Sequence, residues 1–279
     1  MKLSSEPKKI LVVPDVHGRT FWKEPVKKYI DQVDRIVFLG DYLDPYRDED
    51  EEYTPESVYD NLMGIIQLKL DHKEKVILLK GNHDQHYSSR LFYDLARGSR
   101  CDKNNWDKYH KVFNQNKDLF QLAYLEVVNG IPYVFTHAGV TVYWLNKVNS
   151  KVWRLSDHNI SIANQDIIDR INLLDSDEQG QEMLSIVGKG RSLFRGEKTG
   201  SVLWADIEEH STTATKVYGL NQVFQVFGHT RLDEINTDMV SFDHLAMIDS
   251  QRCFMIDERI EQKIVSILEY EIINKTIIM

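Results

Sequence analysis

The sequence predicts an α/β fold, a layered core of strands and helices with helical insertions, and three observations predict it. Five apolar runs of strand length each end abruptly in polar residues, helical stretches separate them, and the runs lack the alternation of a half-exposed strand. The 279 residues, 42% hydrophobic and 28% charged, suffice for one large core or two small ones. A single domain over residues 1–279 is expected, with insertions at about 85–130 and 142–200.

The first strand lies in "KKILVVPDVHG" (8–18), where Ile10 to Val13 form a continuous apolar run, and the helical stretch "FWKEPVKKYIDQV" (21–33) follows. The second strand lies in "DRIVFLGDYLD" (34–44). The acidic run "YRDEDEEY" (46–53) reads as a solvated loop. "TPESVYDNLMGIIQLKL" (54–70) reads as a helix opened by Thr54 as N-cap, with Pro55 at the first helical position. The third strand lies in "EKVILLKGNHD" (74–84), the fourth in "IPYVFTHAGV" (131–140) and the fifth in "QVFQVFGHT" (222–230). The insertion at 85–130 reads as mainly helical with aromatic spacing; that at 142–200 reads as helical, then Gly-rich through "VGKGRSLFRGEKTG". Both follow polar strand endings directly, so they are expected to form walls or a lid. The tail, "LAMIDSQRCFMIDERIEQKIVSILEYEI" (245–272), reads as strands with a tight turn between Asp249 and Cys253 that close a second sheet.

A net charge of -9 argues against a surface built to hold nucleic acid nonspecifically, while leaving a nucleotide substrate open. Cys101 and Cys253 are too few and too far apart for a disulfide framework or a paired-cysteine metal site, which suits a cytoplasmic location. The N-terminal apolar stretch is broken by Pro14 and Asp15, too early for a signal peptide. No apolar run approaches the roughly 18 residues that span a bilayer, so no membrane partner is expected.

In α/β sheets, ligands bind beyond the carboxyl ends of the strands, so the five polar endings should converge. They supply Asp15 and His17 (D-x-H), Asp41 and Asp44 (G-D-x-x-D), Asn82 and His83 (G-N-H-D), His137 (T-H-A-G) and His229 (G-H-T). Carboxylates and imidazoles with one amide oxygen suit manganese, iron or zinc better than magnesium or calcium. The set is too rich for one ion, and two metals sharing a bridging carboxylate would use it. No residue stands out as a covalent nucleophile, and no P-loop occurs.

"DVHG", "GDYLD", "GNHD", "THAG" and "GHT", in that order over residues 15–230, resemble the motifs of the calcineurin-like metallophosphoesterases, in the branch holding the phosphoprotein phosphatases and symmetrical diadenosine tetraphosphate hydrolases. "LWAD" (203–206) resembles a phosphoprotein phosphatase segment. The resemblance implies a layered β-sandwich core flanked by helices. It implies that Asp15 and His17 bind a first metal, that Asp41 bridges, and that Asn82, His137 and His229 complete a second. His83 resembles the general acid, with Asp44 orienting it. The implied cofactor is two divalent ions, manganese first, with iron or zinc as alternatives. The implied reaction is hydrolysis of a phosphomonoester or nucleotide phosphate by direct attack of a metal-bridging hydroxide, with His83 protonating the departing oxygen. The substrate could be a phosphorylated small molecule, a nucleotide or a phosphopeptide. A Ser/Thr protein phosphatase and a noncatalytic scaffold on the same fold are the competing readings.

The family's second motif usually continues Asp-Arg-Gly, its arginine gripping phosphate; here Asp44 is followed by Pro45, Tyr46 and Arg47. Arg19 and Arg47 are the candidates for that grip, and Arg195 and Arg231 also lie near site segments. Taken singly, Asp15, Asp41 and Asp44 would read as strand-end or cap residues, Asn82 as a turn former and His137 as a core histidine. Asp84 reads as a residue that holds its turn, His86 as structural or lid-forming, and Trp204 as core. His72, His110, His158, His210 and His244 fall outside the motifs and read as solvated or structural.

Overall fold

All five expected runs are strands, and the reason they do not alternate is that both faces of each are covered. The computed structural model describes residues 8–46, 53–95, 99–155, 164–189, 191, 196–210, 216–217, 220–221, 223–232, 237–242, 244–248 and 251–278. In chain order the strands are β1 (Lys9–Val13), β2 (Arg35–Phe38), β3 (Val76–Leu79), β4 (Phe120–Gln121), β5 (Ala123–Val128), β6 (Ile131–Thr136), β7 (Lys216–Val217), β8 (Leu220–Asn221), β9 (Phe224–Phe227), β10 (Val240–Phe242), β11 (Leu245–Met247), β12 (Phe254–Asp257) and β13 (Val265–Ser266). One sheet has the order β13-β12-β1-β2-β3-β4 and the other β10-β11-β9-β6-β5, with β7 and β8 as a separate ribbon.

The two sheets pack face to face. Ile10, Val12, Val37, Leu39, Ile77 and Leu79 of the first meet Phe135, Val226 and Ala246 of the second in one buried cluster. Their alternate neighbours Leu11, Val13, Ile36, Phe38, Val76 and Leu78 face the other way, into a cluster shared with helices α1 (Lys23–Tyr29) and α2 (Pro55–Asp71). A strand buried on both faces must be apolar at every position, which is the pattern of the sequence. Helix α2 begins as its sequence requires. The Thr54 hydroxyl accepts from the Ser57 amide at 3.1 Å, the Ser57 hydroxyl accepts from the Thr54 amide at 3.0 Å, and Pro55 takes the first turn.

β1, β2 and β3 are mutually parallel in the first sheet, and β6 and β9 are parallel in the second. The five motif-bearing strands are therefore divided between two sheets, and their carboxyl ends meet where the sheets face each other. There, the Gly228 amide donates to the His137 carbonyl at 2.8 Å and the His229 amide to the Asp15 carboxylate at 3.1 Å.

Two expectations need correction. The insertion at 85–130 is helical only in its first part: α3 (Asn82–Ser88), α4 (Arg90–Leu95) and α5 (Trp106–Gln115) give way to β4 and β5, and β5 pairs antiparallel with β6 across the Asn129–Gly130 turn. The tail does not close one sheet. β11 joins the second sheet beside β9, whereas β12 crosses to the first and pairs antiparallel with β1. The chain then ends in a helix, after α6 (Val142–Val148), α7 (Asn164–Leu173) and α8 (Glu178–Leu184) in the second insertion, namely α9 (Ile267–Ile278). Its apolar residues suggested strands, but Ser266 and Glu269 form a reciprocal cap, the Ser266 amide donating to the Glu269 carboxylate at 3.1 Å and the Glu269 amide to the Ser266 hydroxyl at 3.4 Å. The acidic run at 46–53 lies outside the described residues except for Tyr46 and Tyr53. Among the described residues, no helix is long and apolar enough to cross a membrane.

Candidate active site

The motif loops interlock through their backbones before any side chain is considered. The amides of His17 and Gly18 donate to the carbonyls of Asp41 and Tyr42 at 2.6 and 2.9 Å, which zips the loop after β1 to the loop after β2. Asp84 ties in the third loop: its buried carboxylate accepts from the amides of Asp41 at 2.7 Å, Gly81 at 2.8 Å and Tyr42 at 2.9 Å. The turn-holding role read from sequence therefore extends across two motifs. Burial and the neighbouring Asp41 carboxylate push the Asp84 carboxyl well above its ordinary value, against the pull of those three amides.

On this frame Asp15, His17, Asp41, Asn82, His137 and His229 are all buried. Two groups that could hold a metal ion lie among them, Asp15 with His17 and Asp41, and Asp41 with His137 and His229; within each, the donor atoms lie within 4.8 Å of one another. Asp41 belongs to both. The histidines are aimed by their second ring nitrogens: His17 Nδ1 donates to the Leu43 carbonyl at 2.8 Å and His137 Nδ1 to the Leu39 carbonyl at 3.0 Å. Each then presents a bare Nε2, which lies 3.4 Å from the Asp41 carboxylate in His17 and 3.6 Å in His137.

The chemistry of this donor set fits a cation. His137 Nε2 lies 2.9 Å from the Asn82 side-chain oxygen and 3.0 Å from His229 Nδ1. With its proton committed on Nδ1, His137 meets the Asn82 oxygen lone pair to lone pair. That is a poor arrangement in itself and the right one around a positive ion. Burial lowers all three imidazoles, His17 and His229 well below the ordinary value, so they are neutral and able to ligate. Burial would raise Asp41, but the imidazoles of His137, His83 and His17, wherever they take up a proton, and the hydrogen bond from the His83 amide hold it below the usual carboxylate range.

His83 stands beside this centre at the N-terminal end of α3. Its amide donates to Asp41 at 2.9 Å, and its Nδ1 meets the Asp44 carboxylate at 2.7 Å, leaving Nε2 toward the opening. Asp44 is fixed in turn by the Tyr87 hydroxyl and by the Asp102 amide at 3.3 Å. A cleft of about 290 Å³ opens over Asp41, Asn82, His83 and His229, walled by Tyr46, Ser99, Arg100, Arg191 and Trp204. Trp204 packs against the core, partly buried, and also walls the cleft, its ring 6.0 Å from that of His229. His86 is buried between His83 and Trp204, at 5.6 and 5.9 Å, and burial brings its imidazole down to about 4.

Of the two candidate arginines, Arg19 is buried and spends Nε and Nη2 on the carbonyls of Val16 and Asp15, at 3.1 and 3.0 Å. Arg47 and Arg195 lie outside the described residues. The cleft instead receives Arg100 from the first insertion and Arg191 from the second, the latter paired with Asp206 of "LWAD" at 2.6 Å. Neither has a sequence signal, because each sits in an aperiodic loop.

The sequence model of the calcineurin-like phosphoesterase family matches residues 8–231, and the chain belongs to that family. It is therefore a metal-dependent phosphoesterase by class. Among solved structures, it is similar to a protein serine/threonine phosphatase from Saccharomyces cerevisiae described as having similarity to human phosphatase PP5. That match has 13% identity and a TM-score of 0.50, covering 95% of this chain and 80% of the other. At that identity the likeness concerns the fold. No curated protein matches the chain.

Proposed function

We propose that this chain is a dinuclear metallophosphatase that hydrolyses a phosphomonoester or nucleotide phosphate by direct attack of water, with His83 as general acid. The observation that carries the reading is the pair of carboxylate–imidazole groups sharing Asp41, with the His83–Asp44 pair beside them. Two divalent cations, manganese in the first instance, would make a water acidic enough to attack near neutral pH and would neutralise the phosphoryl oxygens. Asp15, His17 and Asp41 would hold one cation, and Asp41, Asn82, His137 and His229 the other. Asp44 accepts from His83 Nδ1 and holds its ring turned to the cleft. His83 gives its proton from Nε2 to the departing oxygen. The cleft's modest volume favours a small phosphorylated group. Both cysteines are buried and free, which supports a reducing, cytoplasmic setting.

The test is His83→Ala assayed on alkyl and aryl phosphates with manganese. It should keep its metal yet lose about 10²- to 10⁴-fold in rate on alkyl esters. Aryl esters, whose leaving groups hardly need a proton, should suffer less. Equal losses on both would remove the acid role. Transfer with retention at phosphorus would remove direct attack.

A further inference from the structure

We propose that Arg100, seated on the ring of Tyr46, is the residue that grips the phosphoryl group. Its guanidinium carbon lies 3.4 Å from the centre of the Tyr46 ring, its Nη2 donates to His83 Nε2 at 3.4 Å, a contact that an arriving phosphate would replace and so free Nε2 to carry its proton, and its Nη1 is buried with no hydrogen-bond partner. No carboxylate among the described residues pairs with it. A half-buried guanidinium with an unspent nitrogen has lost water without gaining an anion, which is costly unless an anion arrives from outside. Its planar fork suits two oxygens of one phosphate, and the face of a tyrosine ring holds such a cation in place without neutralising it.

Competition among the arginines points the same way. Arg191, which also lines the cleft, is neutralised by Asp206, and Arg19 is bound to backbone carbonyls. Arg231 also stacks on the Tyr46 ring, its guanidinium carbon 4.2 Å from the centre, but it is not among the residues that wall the cleft. The segment that carries Arg100 is fastened to the catalytic pair: the Asp102 amide donates to the Tyr87 hydroxyl at 2.7 Å and to Asp44 at 3.3 Å. The Asp102 carboxylate closes its own turn by accepting from the Asn104 and Asn105 amides at 3.1 and 3.2 Å. Arg100 and His83 thus reach the cleft from one braced unit. A phosphate on the metal centre would have its oxygens met by Arg100 next to the atom that protonates the leaving group. The ligand class is a terminal phosphate carrying two negative charges, and inorganic phosphate is its simplest form.

This assignment rests on the phosphatase reading, and the experiment separates the two. Inorganic phosphate is titrated calorimetrically into the manganese-loaded full chain, with metal content and circular dichroism checked for every variant. Arg100→Ala should bind phosphate at least about tenfold more weakly with its metal retained, and Arg100→Lys should recover part of the loss. Tyr46→Phe should bind as the parent does and Tyr46→Leu several-fold more weakly. Phosphate affinity of Arg100→Ala or, should that variant misfold, of Arg100→Lys within twofold of the parent overturns the assignment. So does a loss confined to Arg191→Ala. In either event, hydrolysis of p-nitrophenyl phosphate by the parent chain would leave the phosphatase reading standing. A parent chain that takes up manganese but binds no phosphate overturns the assignment, and one that neither takes up metal nor hydrolyses the ester overturns both.

Discussion

Gly81→Ala measures how little room the interlocked loops leave. Gly81 has φ -96° and ψ 177°, an extended conformation that alanine adopts freely, so the substitution adds only a methyl group. That methyl would lie 2.0 Å from an Asp41 carboxylate oxygen, 2.5 Å from the Asp41 amide nitrogen and 2.7 Å from the Asp41 carboxyl carbon. Real contacts of this kind do not fall below 3.0 Å, so the carboxylate must retreat by about 1 Å. It cannot do so alone, because the Asp41 amide is held by Asp84 at 2.7 Å and the Asp41 carboxylate by the His83 amide at 2.9 Å. Overpacking of this kind costs about 1–3 kcal/mol, and the lost hydrogen bond about 1 more. Urea unfolding in chelator should therefore show a stability lower by about 2–4 kcal/mol. Because Asp41 belongs to both donor groups, manganese affinity should fall by about tenfold or more at both sites, measured by calorimetry. Wild-type manganese affinity and stoichiometry in Gly81→Ala would refute the shared-carboxylate geometry.

Gly64→Ala should do the reverse: the site is inside α2 with nothing within 4 Å of the added methyl, so unfolding free energy should rise by about 0.5–1 kcal/mol, and a loss would mean that α2 packs differently. Asp84→Ala strips the acceptor from three buried amides, and at about 1–3 kcal/mol each the protein should lose about 3 kcal/mol or more; a urea midpoint near that of the parent would contradict the clamp. Asp257 accepts from Arg259 and from the Tyr270 hydroxyl at 3.0 Å; burial would raise its carboxyl, but these partners hold it below the ordinary value. A depressed folded value stabilises fully above the unfolded value of about 3.9 and is lost as pH falls through the folded one. Acid titration of stability should be steeper below about pH 4 in the parent than in Asp257→Asn, and superimposable profiles would remove the clamp.

How much the sequence disclosed depends on where the information is local. The five strand endings were legible because each couples a two-face apolar run to donor side chains within a few residues, as in Leu79 to His83. The cap of α2 was legible from Thr54 and Pro55 alone. What escaped depends on contacts distant in sequence. The crossing of β12 to the first sheet is decided by Ile10 and Leu11 pairing with Ile256 and Met255, which no local pattern records. Helix α9 was the exception, since the Ser-x-x-Glu at 266–269 is a local start signal that the apolar run after it obscured. Arg100 and Arg191 could not be found at all, because a loop residue reaches a site through the path of its loop. Arg19, close to the first motif in sequence, illustrates the converse: its guanidinium turns back onto the carbonyls of Val16 and Asp15.

The backbone adds an argument independent of the donor atoms. Among the described residues, the non-glycine positions with positive φ are His17 (46°), Asp41 (52°), Asp44 (60°), Asn129 (50°), Arg154 (53°) and His229 (78°). Asn129 sits in a hairpin turn and Arg154 ends a helical turn, positions where such a conformation is ordinary. The other four are the site residues at the ends of three different strands. Each such residue costs on the order of 1 kcal/mol or more relative to an unstrained backbone, a cost that glycine would avoid. Glycine would also remove the side chain. The left-handed turn swings each carboxylate or imidazole off the line of its strand, His17, Asp41 and His229 into the donor groups and Asp44 onto His83. The successive bonds from the His17 and Gly18 amides to the Asp41 and Tyr42 carbonyls keep two of these turns from relaxing. Strain concentrated on titratable side chains, and held there by neighbouring loops, is what a fold needs if the stability it forgoes is to be recovered by a bound cation.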